Sequence, residues 1–290
     1  MKIGLQLPHF RPSTAENMRG WMKDTIQTVD QGGFDSLFVM DHFFQLGGWL
    51  GQPEEEMIEG YTTLGFFAGL TEKVDIGLLV GGVIYRHPAL VIKMMTTLDV
   101  LSGGRTYFGI GAAWYEKETL SLGMHFPTMK ERFEQLEEIL QIAKHMWSGD
   151  TSAYEGVHFN LPYPVNNPQP LRKPHPPIMI GGMGPKKTLR FVAKYGDACN
   201  FFGGAEDDVI KERLEILQGH CDDLGRPYEE VEKTVLQTAD FQDGSVEDVI
   251  SRGIYLQELG FTHLIFNVKG LYTPETLKAF TDVIIPALKS

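Results

Sequence analysis

The chain has 290 residues, of which 42% are hydrophobic and 22% are charged, a composition typical of a globular protein. Its formal net charge is −12, and no basic run is long enough to follow a phosphate backbone, so we expect no nucleic-acid partner. No stretch approaches the ~18 to 20 apolar residues of a membrane span, and the first residues resemble a strand rather than a signal peptide. With only two cysteines, we expect a cytoplasmic protein without membrane partner, disulfide framework or metal site.

Short apolar or β-branched runs alternate with longer segments of helical period along the whole chain, which is the pattern of βα units. Eight strands are predicted, at Lys2–Pro8, Ser36–Met40, Asp75–Val80, Thr106–Gly111, Pro177–Gly181, Ala198–Phe202, Thr234–Thr238 and His263–Val268. Eight helices are predicted, at Glu16–Gln31, Tyr61–Leu70, Ala89–Leu101, Met129–Trp147, Lys186–Tyr195, Asp207–Asp223, Val246–Leu259 and Pro274–Leu288. Eight such pairs without a composition break favour one (β/α)8 barrel domain over residues 1–290, rather than an open doubly wound sheet.

Two connections are longer than a simple barrel loop. They are Phe43–Gly60 after the second strand and Ser148–Pro176 before the fifth, and the second is so rich in proline that it predicts an ordered, extended flap. Because loops over a rigid rim usually set selectivity, we expect both insertions, together with Tyr61 and Tyr85, to shape substrate access.

The carboxyl ends of barrel strands carry the chemistry of (β/α)8 enzymes, and polar or glycine residues follow the predicted strands. They are Gln6, His9, Asp41, His42, Gly81, Gly82, Gly111, Ala112, Ala113, Trp114, Gly181, Gly182, Met183, Gly184, Asn200, Thr238 and Asn267. We expect these residues to converge on one mouth.

The glycine-rich turn from Gly181 to Gly184 lies between an apolar strand and a helix that is predicted to begin near Pro185. This arrangement aims backbone N–H groups and a positive helix end at an anion, which predicts a phosphate site, although the glycines would also serve a tight turn. His42 is a candidate for proton transfer beside Asp41. The alternative is a polar turn in which Asp41 caps backbone groups.

Other catalytic motifs are missing from the sequence. It contains no G-x-S-x-G elbow, no H-E-x-x-H, no P-loop and no plausible Cys₂His₂ spacing, and the glycine turn is not the dinucleotide fingerprint. These observations disfavour hydrolases, zinc enzymes and NTPases. A flat ring bound at the barrel mouth suits the aromatic, glycine-lined strand ends better.

Six segments carry a family resemblance: Phe34–Phe44, Glu59–Leu64, Tyr85–Ala89, Thr97–Arg105, Gly109–Trp114 and Pro177–Gly182. Together they resemble the bacterial luciferase-like superfamily and, within it, the branch that binds the deazaflavin coenzyme F420. The resemblance runs from end to end of the chain. It implies a (β/α)8 barrel, usually a homodimer, that binds the coenzyme at the strand carboxyl ends and exchanges a hydride with a small organic substrate.

The resemblance also implies roles for residues of this chain. Asp41 and His42 abut the cofactor ring, with His42 the proposed acid, while Leu79 and Val80 form a bulge with a non-proline cis peptide behind the ring. The glycine turn holds the cofactor phosphate, and Trp114 offers an aromatic wall or packs the rim. The predicted site therefore comprises His42 and Asp41 for catalysis and Gln6, Leu79, Val80, Gly81, Gly111, Ala112, Trp114, Gly181, Gly182, Met183 and Gly184 for cofactor binding.

Sugar-phosphate dehydrogenases of this branch carry a Trp four residues after the Asp-His pair and an acid after the fourth strand. This chain has Leu46 and Trp114 at those places, so the resemblance does not carry that activity over. Two alternatives to an F420-dependent oxidoreductase stay open. One is an FMN-dependent luciferase-like monooxygenase, and the other is a non-catalytic flavin-binding barrel.

Overall fold

All eight predicted strands are present in a computed structural model, which describes residues 1–290. They are β1 (Lys2–Leu7), β2 (Ser36–Val39), β3 (Asp75–Leu78), β4 (Thr106–Gly111), β5 (Ile178–Gly181), β6 (Ala198–Phe202), β7 (Glu232–Asp240) and β8 (His263–Lys269). They pair in parallel in the order β3-β2-β1-β8-β7-β6-β5-β4. Since β3 also pairs with β4, the sheet closes into a barrel.

Helices surround the barrel. They are α1 (Met18–Gln31), α2 (Gly60–Ala68), α3 (Pro88–Leu101), α4 (Glu116–Ser121), α5 (Met129–Trp147), α6 (Thr188–Tyr195), α7 (Asp207–Asp223), α8 (Val246–Glu258), α9 (Pro274–Ala279) and α10 (Ile285–Lys289). Short 3₁₀ turns cover Gly48–Leu50 and Tyr228–Glu230. None of these helices combines the length and apolarity needed to cross a bilayer.

Local sequence explains where several helices begin. Thr128 accepts the N–H of Glu131, whose carboxylate accepts the N–H of Thr128, and this reciprocal capping box starts α5. Ser245 and Asp248 form the same box at α8. Pro88 opens α3, where its missing N–H costs no helical hydrogen bond.

Apolar side chains form two layers on either side of the barrel wall. The inner layer fills the barrel with Phe38, Leu79, Tyr107, Met179, Ala198 and Ile265. The larger outer layer packs the opposite faces of the strands, such as Ile3 and Leu5 of β1, against the helices. The filled interior makes the barrel a packed core rather than a pore, so ligands meet it at an end.

The wall of the barrel changes course after β3. This strand ends at Leu78, earlier than predicted, and the following Leu79–Val80 peptide is cis, as the family resemblance implies. The chain then forms a two-residue strand, Gly81–Gly82, that pairs with the end of β4. A Cβ on Gly109 of β4 would lie 1.9 Å from the carbonyl oxygen of Leu78, so glycine permits the close approach.

Several short elements were not predicted. They are α4, the antiparallel pair Tyr154–Glu155 with Asn160–Leu161, and the π-helical turn Phe280–Ile284 that interrupts the last helix. Helix α6 also begins at Thr188 rather than at Lys186, and β7 extends beyond its predicted ends. Elements of two to six residues contain too little of a hydrophobic period to be recognised in a sequence.

Candidate active site

A cavity of about 540 Å³ opens at the carboxyl ends of the barrel strands. Its volume lies within the range of small-molecule sites. Ten of the thirteen predicted site residues line it: Gln6, Asp41, His42, Leu79, Val80, Gly81, Ala112, Trp114, Gly181 and Gly182. The barrel thus brings together residues from most of its strands, as expected from their places at strand ends.

Three predicted cofactor-binding residues do not line the cavity. A Cβ on Gly111 would lie 3.0 Å from Cγ2 of Val80, so this glycine makes room for the neighbouring bulge. The sulfur of Met183 instead accepts the N–H of Phe202, and a Cβ on Gly184 would lie 2.7 Å from Oγ1 of Thr188. Met183 and Gly184 belong to the turn that precedes α6, outside the wall of the cavity.

Asp41 is buried between a backbone amide and a guanidinium. Its Oδ2 accepts the N–H of Gly82 and a hydrogen of Arg86, both at 2.9 Å, while its Oδ1 has no partner. Burial raises the pKa of Asp41, and the two hydrogen bonds oppose that rise only in part. The backbone contact is the capping role considered as an alternative in the sequence, and the free Oδ1 leaves an acceptor available to a ligand.

Arg86 links Asp41 to the start of α2. Its second nitrogen pairs with Glu59, the N-cap residue of that helix, and its guanidinium lies 4.6 Å from the ring centre of Tyr61. Tyr61 is therefore buried beneath the arginine and does not line the cavity, contrary to the expectation that it shapes substrate access. Tyr85 does line it.

His42 is held by Glu118 and makes no hydrogen bond to Asp41. Its Nδ1 lies 3.0 Å from Oε2 of Glu118, a fully buried carboxylate of α4. Because an ionised carboxylate only accepts, Nδ1 carries a hydrogen, and Nε2 is the nitrogen left for a ligand. The edges of Trp114 and Tyr115 pack against the imidazole at 5.8 and 6.0 Å between ring centres.

Glu118 gathers four donors around one carboxylate. Besides His42, it accepts the N–H groups of Phe43 and Phe44 and, at 2.8 Å, the hydroxyl of Tyr85. Burial alone would raise the pKa of Glu118, but the hydrogen bonds from His42, Phe43 and Tyr85 outweigh it and lower the pKa. The carboxylate therefore stays ionised and provides a counter-charge for a protonated His42.

Sequence reasoning missed Glu118, Arg86 and Glu59 as parts of the site. Glu118 lies 76 residues from His42 on a helix too short to be predicted, and a search directly after the fourth strand found Trp114 rather than an acid. Arg86 and Glu59 lay inside the segments that carry the family resemblance. The signal that could have identified the pair of Arg86 and Glu59 was the presence of oppositely charged residues within those segments.

The floor of the cavity is a chain of amides. The Nδ2 of Asn267 donates to Gln6, and the Nε2 of Gln6 donates to the carbonyl oxygen of Leu79, which belongs to the cis peptide. The Oδ1 of Asn267 is buried and has no partner, as has the Oδ1 of Asp41. Two acceptors without donors, both on residues that line the cavity, suit a ligand with N–H or O–H groups.

The glycine turn after β5 meets the bulge after β3. A Cβ on Gly181 would lie 2.6 Å from Cγ2 of Val80, and Gly182 has a φ of +109°, so both positions require glycine for reasons of space or conformation. Because α6 begins at Thr188, the turn before it is longer than predicted.

The two long connections differ in what they contribute to the cavity. The connection after β2 reaches the mouth, where Leu46 and Leu50 line the cavity. The connection before β5 contributes no lining residue, which corrects the expectation that it shapes substrate access. Its Arg172 instead pairs at 2.9 Å with Asp75, the first residue of β3, and so fastens that segment to the opposite end of the barrel.

The sequence profile of the luciferase-like monooxygenase family matches residues 1–241. The chain belongs to this family. Among its curated members, the F420-dependent glucose-6-phosphate dehydrogenase of Microbacterium testaceum (strain StLB037) is 29% identical over 206 residues, which cover 70% of this chain and 59% of that protein. The enzyme of the same name from Kineococcus radiotolerans is 24% identical over an alignment that covers 97% of this chain and 96% of that protein.

A solved structure of another protein shares the fold. An F420-dependent secondary alcohol dehydrogenase, in complex with an F420-acetone adduct, superposes with a TM-score of 0.85 over 100% of this chain and 99% of its own. Its sequence is 19% identical, so the likeness concerns the (β/α)8 barrel alone.

Proposed function

We propose that this member of the family is an F420-dependent oxidoreductase that exchanges a hydride between the deazaflavin and a small organic substrate. The observation that carries the proposal is the meeting of His42, Asp41, the Leu79–Val80 peptide and Gly181 around one cavity at the barrel mouth. The names of the two curated relatives, both F420-dependent dehydrogenases, support the choice of cofactor.

The residues of the cavity fit a deazaflavin. Asp41 and Asn267 each offer a buried oxygen without a donor, which suits the polar edge of the ring. Val80, in front of Gly181, provides an apolar surface where a side chain in place of the glycine would intrude. We assign the cofactor phosphate to the turn from Gly181 to Gly184 before α6, whose N-terminus favours an anion.

His42 is the residue that we propose moves the proton. When bound, the deazaflavin supplies or accepts the hydride, and the protein contributes position, a dry site and a proton. Glu118 orients the imidazole through Nδ1, so Nε2 delivers the proton in reduction or receives it in oxidation. The ionised Glu118 stabilises the protonated imidazole, much as a buried carboxylate supports the histidine of a catalytic triad.

We further propose that the chain is a single-domain homodimer in the cytoplasm. Both cysteines, Cys199 and Cys221, are free and buried, which suits a reducing compartment. Light scattering on the purified protein tests the dimer, for which the expected mass is twice 32.6 kDa. A mass of one chain would refute it.

Oxygen dependence distinguishes the proposed function from its alternatives. Reduced F420 is mixed anaerobically with the protein and a panel of carbonyl and unsaturated compounds, and its oxidation is followed by absorbance. We expect oxidation that requires protein and substrate but no oxygen. Turnover that needs FMN and oxygen would identify a monooxygenase, and binding of a cofactor without turnover of either kind would favour the non-catalytic flavin-binding barrel.

A further inference from the structure

We infer that the substrate is an uncharged, apolar carbonyl compound, which the protein reduces to the alcohol. This inference rests on the proposed function and adds the substrate class. It follows from three properties of the cavity: an apolar rim, the lack of lysine and arginine in its wall, and two side-chain nitrogens, Nε2 of His42 and Nε1 of Trp114, that have no partner within the protein.

The rim of the cavity is apolar on several sides. Leu46 and Leu50 reach it from the connection after β2, and Leu236 reaches it from β7. Trp114 and Phe202 also line it, although 63% and 56% of their surfaces are exposed. Large apolar side chains that stay exposed around a cavity gain free energy when a ligand covers them, at about 25 cal/mol per Å².

Apart from the glycine turn that we assign to the cofactor phosphate, the wall of the cavity offers no counter-charge to an anionic substrate. None of its lining residues is a lysine or arginine. The guanidinium of Arg86, which lies beside the lining residue Asp41, is already paired with Asp41 and Glu59. Around the cavity the buried carboxylates are those of Asp41, which lines it, and Glu118, which pairs with His42 and so balances a positive charge on that imidazole. A phosphorylated or carboxylated substrate would therefore lose its hydration without gaining a counter-charge, which costs several kcal/mol.

The hydrogen-bond donors point to a carbonyl oxygen. The amides of Gln6, Asn200 and Asn267 and the hydroxyl of Tyr85 donate to acceptors within the protein. Two side-chain donors have no acceptor within the protein and are left to a substrate: the indole N–H of Trp114 and, when the imidazole carries both hydrogens, Nε2 of His42. In the reduction, the carbonyl carbon gains a hydride from reduced F420, the C=O π electrons move to oxygen, and the oxygen takes the proton of Nε2. The carbonyl compound is reduced by two electrons and the cofactor is oxidised by two.

Binding to the protein loaded with oxidised F420 tests the substrate class without turnover, because a ketone and the oxidised cofactor cannot react. Calorimetry would compare the 2-alkanones from butanone to octanone, 7-oxooctanoate as the charged counterpart of 2-octanone, and glucose 6-phosphate. We expect Kd to fall about two- to fourfold for each added methylene. We also expect 7-oxooctanoate to bind at least tenfold more weakly than 2-octanone, and glucose 6-phosphate not to bind.

A charge placed on the rim gives a matched test. Leu46→Lys should weaken 2-octanone and strengthen 7-oxooctanoate, so that the preference between them narrows at least tenfold. The control Val157→Lys introduces the same charge at a residue that is 86% exposed and not part of the cavity, and it should leave both affinities unchanged. A normal circular-dichroism spectrum and unfolding temperature exclude misfolding as the cause.

Three outcomes would each overturn a different part of this inference or of the proposed function. If F420 binds but 7-oxooctanoate or glucose 6-phosphate binds as well as 2-octanone, the substrate class is wrong and the proposed function stands. Equal affinities across the alkanone series would also refute the apolar subsite. If F420 itself does not bind, the proposed function fails before any substrate is added.

Discussion

The barrel carries a histidine-glutamate pair at each end, and the two pairs differ in their surroundings. At the mouth, Nδ1 of His42 contacts Glu118, and the imidazole lines a cavity. At the opposite end, His263 is fully buried, with Nε2 2.8 Å from Oγ of Ser36 and Nδ1 3.5 Å from Glu232.

Together with Ser36, the pair of His263 and Glu232 has the residue types of a hydrolytic triad, but it has no room for a substrate. Ser36 is fully buried, and even a Cβ on Gly4 would lie 2.3 Å from its hydroxyl oxygen. Glu232 also holds Lys2 and the hydroxyl of Tyr107, which joins the starts of several strands. Similar side chains thus serve chemistry where one nitrogen faces a cavity, and serve stability where both face protein.

Replacement of the mouth histidine should have the largest effect. We expect His42→Ala to lower the rate of hydride transfer on the order of 10²- to 10⁴-fold, because the proton donor is lost. The Kd for F420 and the free energy of unfolding should change little. Rapid mixing with reduced F420 measures the rate, and a variant as fast as the wild type would remove His42 from the mechanism.

Replacement of His263, at the end opposite the mouth, should lower stability and leave turnover nearly unchanged. His263→Ala leaves a void and removes a hydrogen-bond partner of buried Ser36. We therefore expect the free energy of unfolding, measured in urea, to be about 3 to 4 kcal/mol lower than that of the wild type. The turnover number of the folded variant should stay near the wild-type value. A large loss of turnover with unchanged stability would reverse the roles assigned to the two ends.

Low pH should weaken the pair of His263 and Glu232 in a defined range. Burial alone would raise the pKa of Glu232, but its contacts with His263, Lys2 and Tyr107 outweigh burial and lower the pKa from 4.5 to about 2. A depressed pKa contributes stability above the unfolded-state value, here about 3 kcal/mol, and that stability is lost as pH falls from about 4.5 towards 2.

Urea unfolding at several pH values checks this prediction. Glu232→Gln lacks the titrating group, so the stability difference between wild type and variant should shrink by about 3 kcal/mol between pH 6 and pH 2. A difference that is constant over this range would show that Glu232 gains nothing from its partners.

Loss of the orienting carboxylate at the mouth should have a smaller effect than loss of His42. We expect Glu118→Gln to lower turnover about tenfold to hundredfold, the range seen for partners that orient a functional imidazole. KM should change little, because Glu118 does not line the cavity. A turnover number equal to that of the wild type would make Glu118 a structural residue only.

The two ends also differ in how much of them the sequence predicts. The mouth follows from hydrophobic period and from glycine and polar residues placed after strands, which is why ten predicted residues line one cavity. The role of Glu118 could not be predicted, because 76 residues separate it from His42 and its helix is only six residues long.

The long connections show the same limit. Length and proline content mark residues 148–176 as an ordered excursion, but they do not say whether it lies over the cavity or against the outside of the barrel. That choice depends on single contacts, such as the pair of Arg172 with Asp75, whose two members lie 97 positions apart. Local hydrophobic patterns predict helices and strands. Segments without such a pattern are positioned by contacts between residues that are distant in sequence.

Cofactor titration tests the central claim most directly. Purified protein is titrated with oxidised F420 and, separately, with FMN, and binding is followed by the change in cofactor absorbance, with His263→Ala as a variant whose mouth is intact. We predict saturable binding of one F420 per chain to both proteins and much weaker binding of FMN. Tight binding of FMN with no binding of F420 would contradict the account.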